Sequence, residues 1–380
     1  MKSNFDVRAF FACFAAALPA YVGAAQPAPI DIKTVAYRGS LPYVVSADPR
    51  RDARINHSVF LALTGQPAPA KYTDRVVETQ EQEEMGVNDF GFKVTRDDQR
   101  VLALEIDSEV CGAYCEHSWD QYNFDAVTGR AILASDIFTP AGGAKLFKQN
   151  LAKRLAQYQQ AIAGLNRAGT AHRKKNHIST SWPQPRTDGR QDDEEARIMD
   201  TIAMYRHCME SMQSPDYGSD FKLENAPVRI EYGAITFLYQ RCSNHAMHAL
   251  DEVDKQEVSY KNTDLAPHIT PYGRYLLMDG PPVKRRAEPY QQFLQGRVGQ
   301  AAITLTLSAP GIDGAVTGEY FYNKYRKLIA LRGQVNGNTV ELTESESIDT
   351  PKPLIRATIK GDKLEGQWIG KQTLDFSVAP

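Results

Sequence analysis

The side chains best suited to chemistry cluster around four cysteines in the body of the chain. Cys111 and Cys115 frame Gly112, Ala113 and Tyr114, and Glu116, His117, Trp119 and Asp120 follow at once, so carboxylate, imidazole and indole groups share one short stretch. Cys208 follows His207, and Cys242 precedes His245 and His248 in a His-x-x-His spacing. Thiolates and imidazoles are zinc ligands, and three or four of them at usable spacing would make a metal centre. In an oxidising compartment the same thiols pair instead. Disulfides flanked by surface histidines are therefore expected, and no metal or cofactor is assigned. Three pairings of four cysteines exist, of which Cys111–Cys115 with Cys208–Cys242 is favoured. On the loop-entropy model these bridges contribute roughly 2 and roughly 4 kcal/mol.

A loop fixed by a disulfide presents its aromatics at low ordering cost, and buried interfacial aromatics dominate many binding surfaces. Tyr114, His117 and Trp119 are thus the candidate contact patch. The competing expectation is that Trp119 and Tyr122 cap the core and the neighbouring charges are solvated. No Gly-x-Ser-x-Gly, His-Glu-x-x-His, phosphate loop or dinucleotide fingerprint occurs, so no catalytic residue is assigned.

The elements that would carry these groups follow from periodicity. A helix is expected over 52–63, where Ile55, Val59, Phe60 and Leu63 recur at helical spacing, and strands over 90–94 and 101–105. Residues 122–133 read as a hairpin around Thr128-Gly129. A long amphipathic helix follows, with Leu151, Leu155, Tyr158, Ile162 and Leu165 on one face. Residues 166–190 read as a polar, mobile loop. A second helix opens with Asp192 to Glu195, whose charge suits a helix N-terminus, and runs to about Met212. Strands at 228–232 and 234–239 lead into Cys242, so a bridge to Cys208 would staple helix to sheet. After Pro281-Pro282 and Lys284-Arg285-Arg286 the text becomes short alternating runs with turns such as Asn336-Gly337-Asn338. Seven or eight antiparallel strands there suggest a small closed barrel or sandwich. Strand alternation sends Tyr320 and Tyr322 to one face and Phe321 to the other, leaving one aromatic class exposed.

The fold class expected is an α+β unit with antiparallel sheet and two amphipathic helices over 26–280, a linker at 281–290, and an all-β domain over 291–380. With 380 residues, 42% hydrophobic and 24% charged, the chain can bury two or three cores. The formal net charge of −2 argues against a nucleic-acid partner.

Residues 1–25 are expected to be a cleaved signal peptide: Lys2 and Arg8 precede an apolar run over 9–22, and Gly23, Ala24 and Ala25 precede Gln26-Pro27. The run is too short for a membrane anchor and is interrupted by Pro19, so no stable span is expected after cleavage. Cys13 leaves with it.

Arg54-Ile55-Asn56, the run YNFDAVTGRAILASDIF over 122–138, RIEYGAITFLYQ over 229–240 and DLAPHITPYG over 264–273 together resemble a family of exported bacterial domains of unknown function. That family also forms the extracytoplasmic part of lysozyme-sensing anti-sigma factors and stands beside some cell-wall polysaccharide deacetylases. The resemblance covers roughly 33–278. The run from Cys111 to Glu116 looks like a motif of a proteobacterial branch, and no sigma-binding segment is expected. The final text, GEYFYNKYRKLIALRG over 318–333, looks like a module of exported Gram-negative proteins. The resemblance implies a periplasmic binding or inhibitory protein, with a lysozyme-type muramidase or a cell-wall glycan as the ligand class. The alternative is a cell-envelope hydrolase or deacetylase accessory.

Overall fold

The computed structural model describes residues 29–76, 86–111, 115–184, 192–214, 227–345 and 352–380. The expected signal peptide with Cys13, Tyr114 of the contact patch, and residues 185–190 of the polar loop lie outside the described residues.

The α+β unit opens with a hairpin, β1 (Asp31–Ala36) and β2 (Ser40–Val45), and a helix, α1 (Pro49–Thr64). Asp48 caps α1 by accepting from the Arg50 and Arg51 amides, Pro49 supplies a preset φ at its first turn, and Gly65 ends it in the left-handed region at φ 60°. Next comes a three-stranded meander, β3 (Val87–Asp97), β4 (Val101–Cys111) and β5 (Cys115–Asp125). The central strand β4 serves two cores at once. Its even positions, Leu102, Leu104 and Ile106, pack with Ile55, Val59 and Phe60 of α1. Its first odd positions, Val101 and Ala103, pack against a second sheet. That sheet is β6 (Val228–Glu231), β7 (Ala234–Tyr239) and β8 (Gln256–Lys261). Three short helices close the second core: α2 (Ala134–Ile137), and later α5 (Asn262–Leu265) and α6 (Pro271–Leu277). Each fully buried Leu or Ile contributes about 1.5–3 kcal/mol.

Two long helices form a third layer: α3 (Pro140–Lys175) and α4 (Asp193–Gln213), joined through Tyr158, Leu165, Ile198, Ile202 and Tyr205. The expected loop over 166–190 is corrected here, because α3 continues through Lys175. Its final turns bury small and charged groups rather than aliphatic ones, which hides the helical period. Gly169 leaves room for the Trp182 ring, which a Cβ would approach to 2.5 Å, and the Trp182 indole N–H donates to Asn166 Oδ1. Arg173 is buried and donates to Glu195 at 2.8 and 2.9 Å. The Cys208–Cys242 bridge ties α4 to the segment after β7.

The hairpin expected over 122–133 is present but short. Residues 115–125 pair along β4, and across the turn the two arms are joined by the bridge Phe124–Ala131 and by the Asp125 amide donating to the Arg130 carbonyl at 2.9 Å and the Ile132 amide to the Asn123 carbonyl at 2.7 Å. The Asp125 carboxylate holds the turn by accepting from the Val127 and Thr128 amides, and from the Tyr272 hydroxyl on its other oxygen. Gly129, at φ 71°, lets the turn approach Arg51, whose carbonyl would stand 2.5 Å from any Cβ. Asn56 is buried and exchanges hydrogen bonds with both backbone groups of Val44. The motif residues that carried the resemblance therefore act as joints of the fold.

Residues 281–290 form no helix or strand, yet they are pinned to the α+β unit: Arg285 pairs with Asp136 at 2.5 Å and Glu288 with Arg130 at 3.0 Å. The C-terminal strands resolve the choice between sandwich and barrel. β9 (Phe293–Val298), β10 (Ala301–Leu307), β11 (Ala315–Tyr322), β12 (Ile329–Asn336), β13 (Thr339–Glu344), β14 (Leu354–Lys360), β15 (Lys363–Ile369) and β16 (Thr373–Ala379) form a closed antiparallel barrel, with β16 pairing back onto β9.

Tyr320 points inward, its hydroxyl donating to Glu344. Phe321 points outward as alternation requires, but it is not exposed: 2% of it is accessible. The helix α1 covers it. His57 lies between the rings of Phe293 and Phe321, at centroid distances of 5.6 and 5.2 Å, and its Nδ1 accepts from the Ala68 amide. Arg326, at φ 57°, donates to the Ala68 carbonyl and lies over Phe321. At its C-terminal end β11 is thus buried on both faces, Tyr320 by the barrel and Phe321 by the α+β unit, while Ala315 and Thr317 on the outward face remain exposed.

Candidate functional site

On β4 the odd positions change from Val101 and Ala103 to Glu105, Asp107, Glu109 and Cys111. That switch marks where the cover of the second core ends and an open ribbon face begins. Across from them stand Gln121, Trp119, His117 and Cys115 of β5, each in direct register. The expectation that residues 116–120 lie on a loop is corrected, since they belong to β5. Alternation brings His117 and Trp119 to the same face, where their rings stand 6.4 Å apart, and turns Glu116 and Asp120 to the opposite one. Glu116 accepts two hydrogen bonds from Arg241, at 2.8 and 2.9 Å. The Cys111–Cys115 bridge closes the ribbon tip.

Trp119 is not a core residue, because 42% of it is accessible. Tyr122 instead packs beside the first core. The Lys255 ammonium lies 3.7 Å from the centroid of the Trp119 ring and donates to the His117 carbonyl at 2.7 Å. A cation over an indole face is attractive by about 0.5–2 kcal/mol. Partial burial also pulls the Lys255 ammonium below the usual lysine range.

Beside Trp119 opens a pocket of about 280 Å³ between the ribbon and the second sheet. Glu105, Gln121, Arg229, Gln240 and Glu257 supply its polar wall, and Tyr239 and Gln256 line it as well. Arg229 organises the carboxylates, meeting Glu257 at 3.0 Å and Glu105 at 3.6 Å. Gln121 donates to Glu105 at 2.9 Å.

The helix α3 holds Tyr239 and Gln256 from behind. Asn150 donates to the Tyr239 hydroxyl at 2.7 Å, Arg154 lies 4.1 Å from the Tyr239 ring centroid, and Arg154 Nε donates to Gln256 at 2.8 Å. Asn150, Arg154 and Gln256 are all buried. A buried polar network of this kind fixes side chains in place before a ligand arrives. The volume, at the low end of small-molecule sites, admits one ring-sized group.

Around the second cysteine pair the thiols are joined to each other, so they are not metal ligands. His248 faces Asp254 at 3.8 Å. Sequence reading found the ribbon residues and missed the far wall. Lys255 lies in no motif, and the run over 229–240 that contains Arg229 and Tyr239 does not mark them as a site; only the pairing of distant strands makes the three neighbours of Trp119.

No family model and no curated protein matches the chain. Among solved structures, the chain is similar to a member of the DUF3298 family from Bacteroides fragilis, with 14% identity, a TM-score of 0.32, and coverage of 64% of this chain and 92% of that one. It is similar also to a DUF3298 family protein from Pseudomonas aeruginosa, with 14% identity, a TM-score of 0.31, and coverage of 65% and 96%.

Proposed function

We propose that the chain is an exported binding protein of the cell envelope, and that its ligand is a cell-wall glycan whose ring enters the pocket beside Trp119. One observation carries the reading: an indole still 42% accessible stands at the rim of a pocket walled by carboxylate, amide and guanidinium groups. Sugars present an apolar face of C–H groups and an edge of hydroxyls, and they suit an aromatic rim with planar donors and acceptors behind it. Export is supported by the signal-peptide-like composition of residues 1–25 and by the two disulfides. No described helix is long and apolar enough to cross a membrane.

The test is calorimetric titration of the mature chain with soluble muropeptides, with product analysis of the same mixtures. Binding without turnover is expected. Trp119→Ala should weaken it about thirtyfold, the cost of truncating an interfacial aromatic by about 2 kcal/mol, while lowering the thermal midpoint only slightly, through loss of the Lys255 contact. Absence of binding refutes the glycan reading, and capture of a lysozyme-type muramidase through Trp119 would then transfer the site to a protein partner. Product formation would establish the hydrolase alternative.

A further inference from the structure

The tip of the ribbon holds a second group of side chains that the glycan reading does not use. A carboxylate oxygen of Glu109 and the Sγ atoms of Cys111 and Cys115 lie within 4.8 Å of one another. His117, the register partner of Glu109, places Nε2 3.8 Å from Glu109 Oε1 and Nδ1 3.4 Å from Asp107 Oδ1. All five residues occupy one face, by the alternation of β4 and β5. Two of these relations resemble the surroundings of a metal-bound imidazole. One ring nitrogen faces a carboxylate that can accept its proton and fix the tautomer, and the other faces a prospective ligand across a gap. In a tetrahedral zinc site with Zn–N and Zn–O of about 2.0–2.1 Å and Zn–S of about 2.3 Å, ligand atoms stand about 3.3–3.8 Å apart; the 3.8 Å between His117 and Glu109 falls in that range, whereas the two sulfurs, bonded to each other here, must part to reach it.

We propose that the ribbon tip is a redox-gated zinc site, with Cys111, Cys115, His117 and Glu109 as ligands and Asp107 orienting the imidazole. The disulfide is the closed state. A thiol reductant opens it: a dithiol gives two electrons and two protons to the Cys111–Cys115 bond, which breaks to two thiols as the reductant becomes its own disulfide. Zinc binding then releases those two protons and leaves both thiolates on the metal. Oxidation by a disulfide of higher potential reverses the step, reforming the S–S bond and expelling Zn²⁺. Accessibility selects this bridge over the other one. Cys115 is exposed and Cys111 half-buried, whereas Cys208 is 1% accessible, and thiol exchange requires access to a sulfur.

The test uses the full mature chain under limiting phosphine, with alkylation and mass mapping to verify that Cys111 and Cys115 are the reduced pair, followed by titration with Co²⁺ as a spectroscopic stand-in. The expected result is one equivalent of Co²⁺ bound with a near-ultraviolet thiolate charge-transfer band and intense visible absorption, both lost on adding Zn²⁺. Asp107→Asn should lower affinity about 10–100-fold, as loss of an outer-shell partner does, and His117→Ala should lower it at least as far. The oxidised chain should show no such band. Absence of the band after reduction overturns the proposal. So does its persistence in the Cys111→Ser/Cys115→Ser chain, or an affinity indifferent to both His117→Ala and Glu109→Gln. Trp119→Ala should leave Co²⁺ uptake unchanged, so failure of the glycan reading and failure of this one are separable.

Discussion

His57 offers the sharpest quantitative prediction. It is buried where α1 meets the barrel, with Phe293 and Phe321 on either side, its Nδ1 occupied by the Ala68 amide, and the Arg326 cation nearby. Burial first, and Arg326 second, lower its pKa from 6.5 to about 3. The folded imidazole is therefore neutral throughout the interval in which the unfolded chain takes up a proton. Between pH 6.5 and 3 the unfolded state binds more protons, so stability falls on acidification. From pH 7 to pH 5 the expected loss from this group alone is about 2 kcal/mol, rising to about 4 kcal/mol at pH 3. His57→Asn keeps an acceptor for the Ala68 amide and removes the titration. Urea unfolding followed by circular dichroism at pH 7, 6 and 5 should give a wild-type curve that falls more steeply than the variant's by about 2 kcal/mol. The remaining titrations are common to both proteins and cancel in the difference. Parallel pH dependences would refute the account of a neutral, buried imidazole at this junction.

Other outcomes follow from the packing. Thiol titration of the unreduced, denatured chain from Gln26 onward should find no reactive cysteine. Cys208→Ser with Cys242→Ser should cost about 4 kcal/mol in chemical denaturation, against about 2 kcal/mol for the pair at the ribbon tip. Glu195→Ala should lower stability by roughly 3–5 kcal/mol, because it removes the carboxylate that Arg173 meets within a buried pair. Gly169→Ala should cost about 1–3 kcal/mol and alter the near-ultraviolet dichroism of Trp182, since the added methyl collides with its ring.

Much of the architecture was readable where one physical signal acted alone. Ile55, Val59 and Phe60 announce α1, and the turn-separated alternation after residue 300 announces the barrel strands. The reading failed where burial is polar. Arg173 and Gly169 sit on the buried face of α3, and neither counts as hydrophobic, so the helix was cut short at residue 165. It failed again at Phe321, because a strand's outward face is judged exposed until its cover is known, and that cover, α1, lies more than 250 residues upstream. Half of the candidate site could be read. The passage from Val101 and Ala103 to Glu105, Asp107 and Glu109 on alternate positions locates the open face within the text of a single strand. The pocket's far wall depends on β7 and β8, whose adjacency to the ribbon no local pattern records.

The pairing of β16 with β9 bears on the order of folding. Every other neighbouring pair in the barrel joins strands consecutive in sequence, so those pairings close short loops and can form quickly, while the last joins the two ends of the domain. Until residues 373–379 are in place, β9 presents a bare row of amides and carbonyls on one side, and β15 does the same. Strand β9 also carries Phe293, the ring that meets His57 of α1. A chain shortened by its final strand would lose the barrel's seam and expose two templates for pairing with other molecules, which makes the C-terminal seven-residue strand the element that separates a monodisperse protein from an aggregating one.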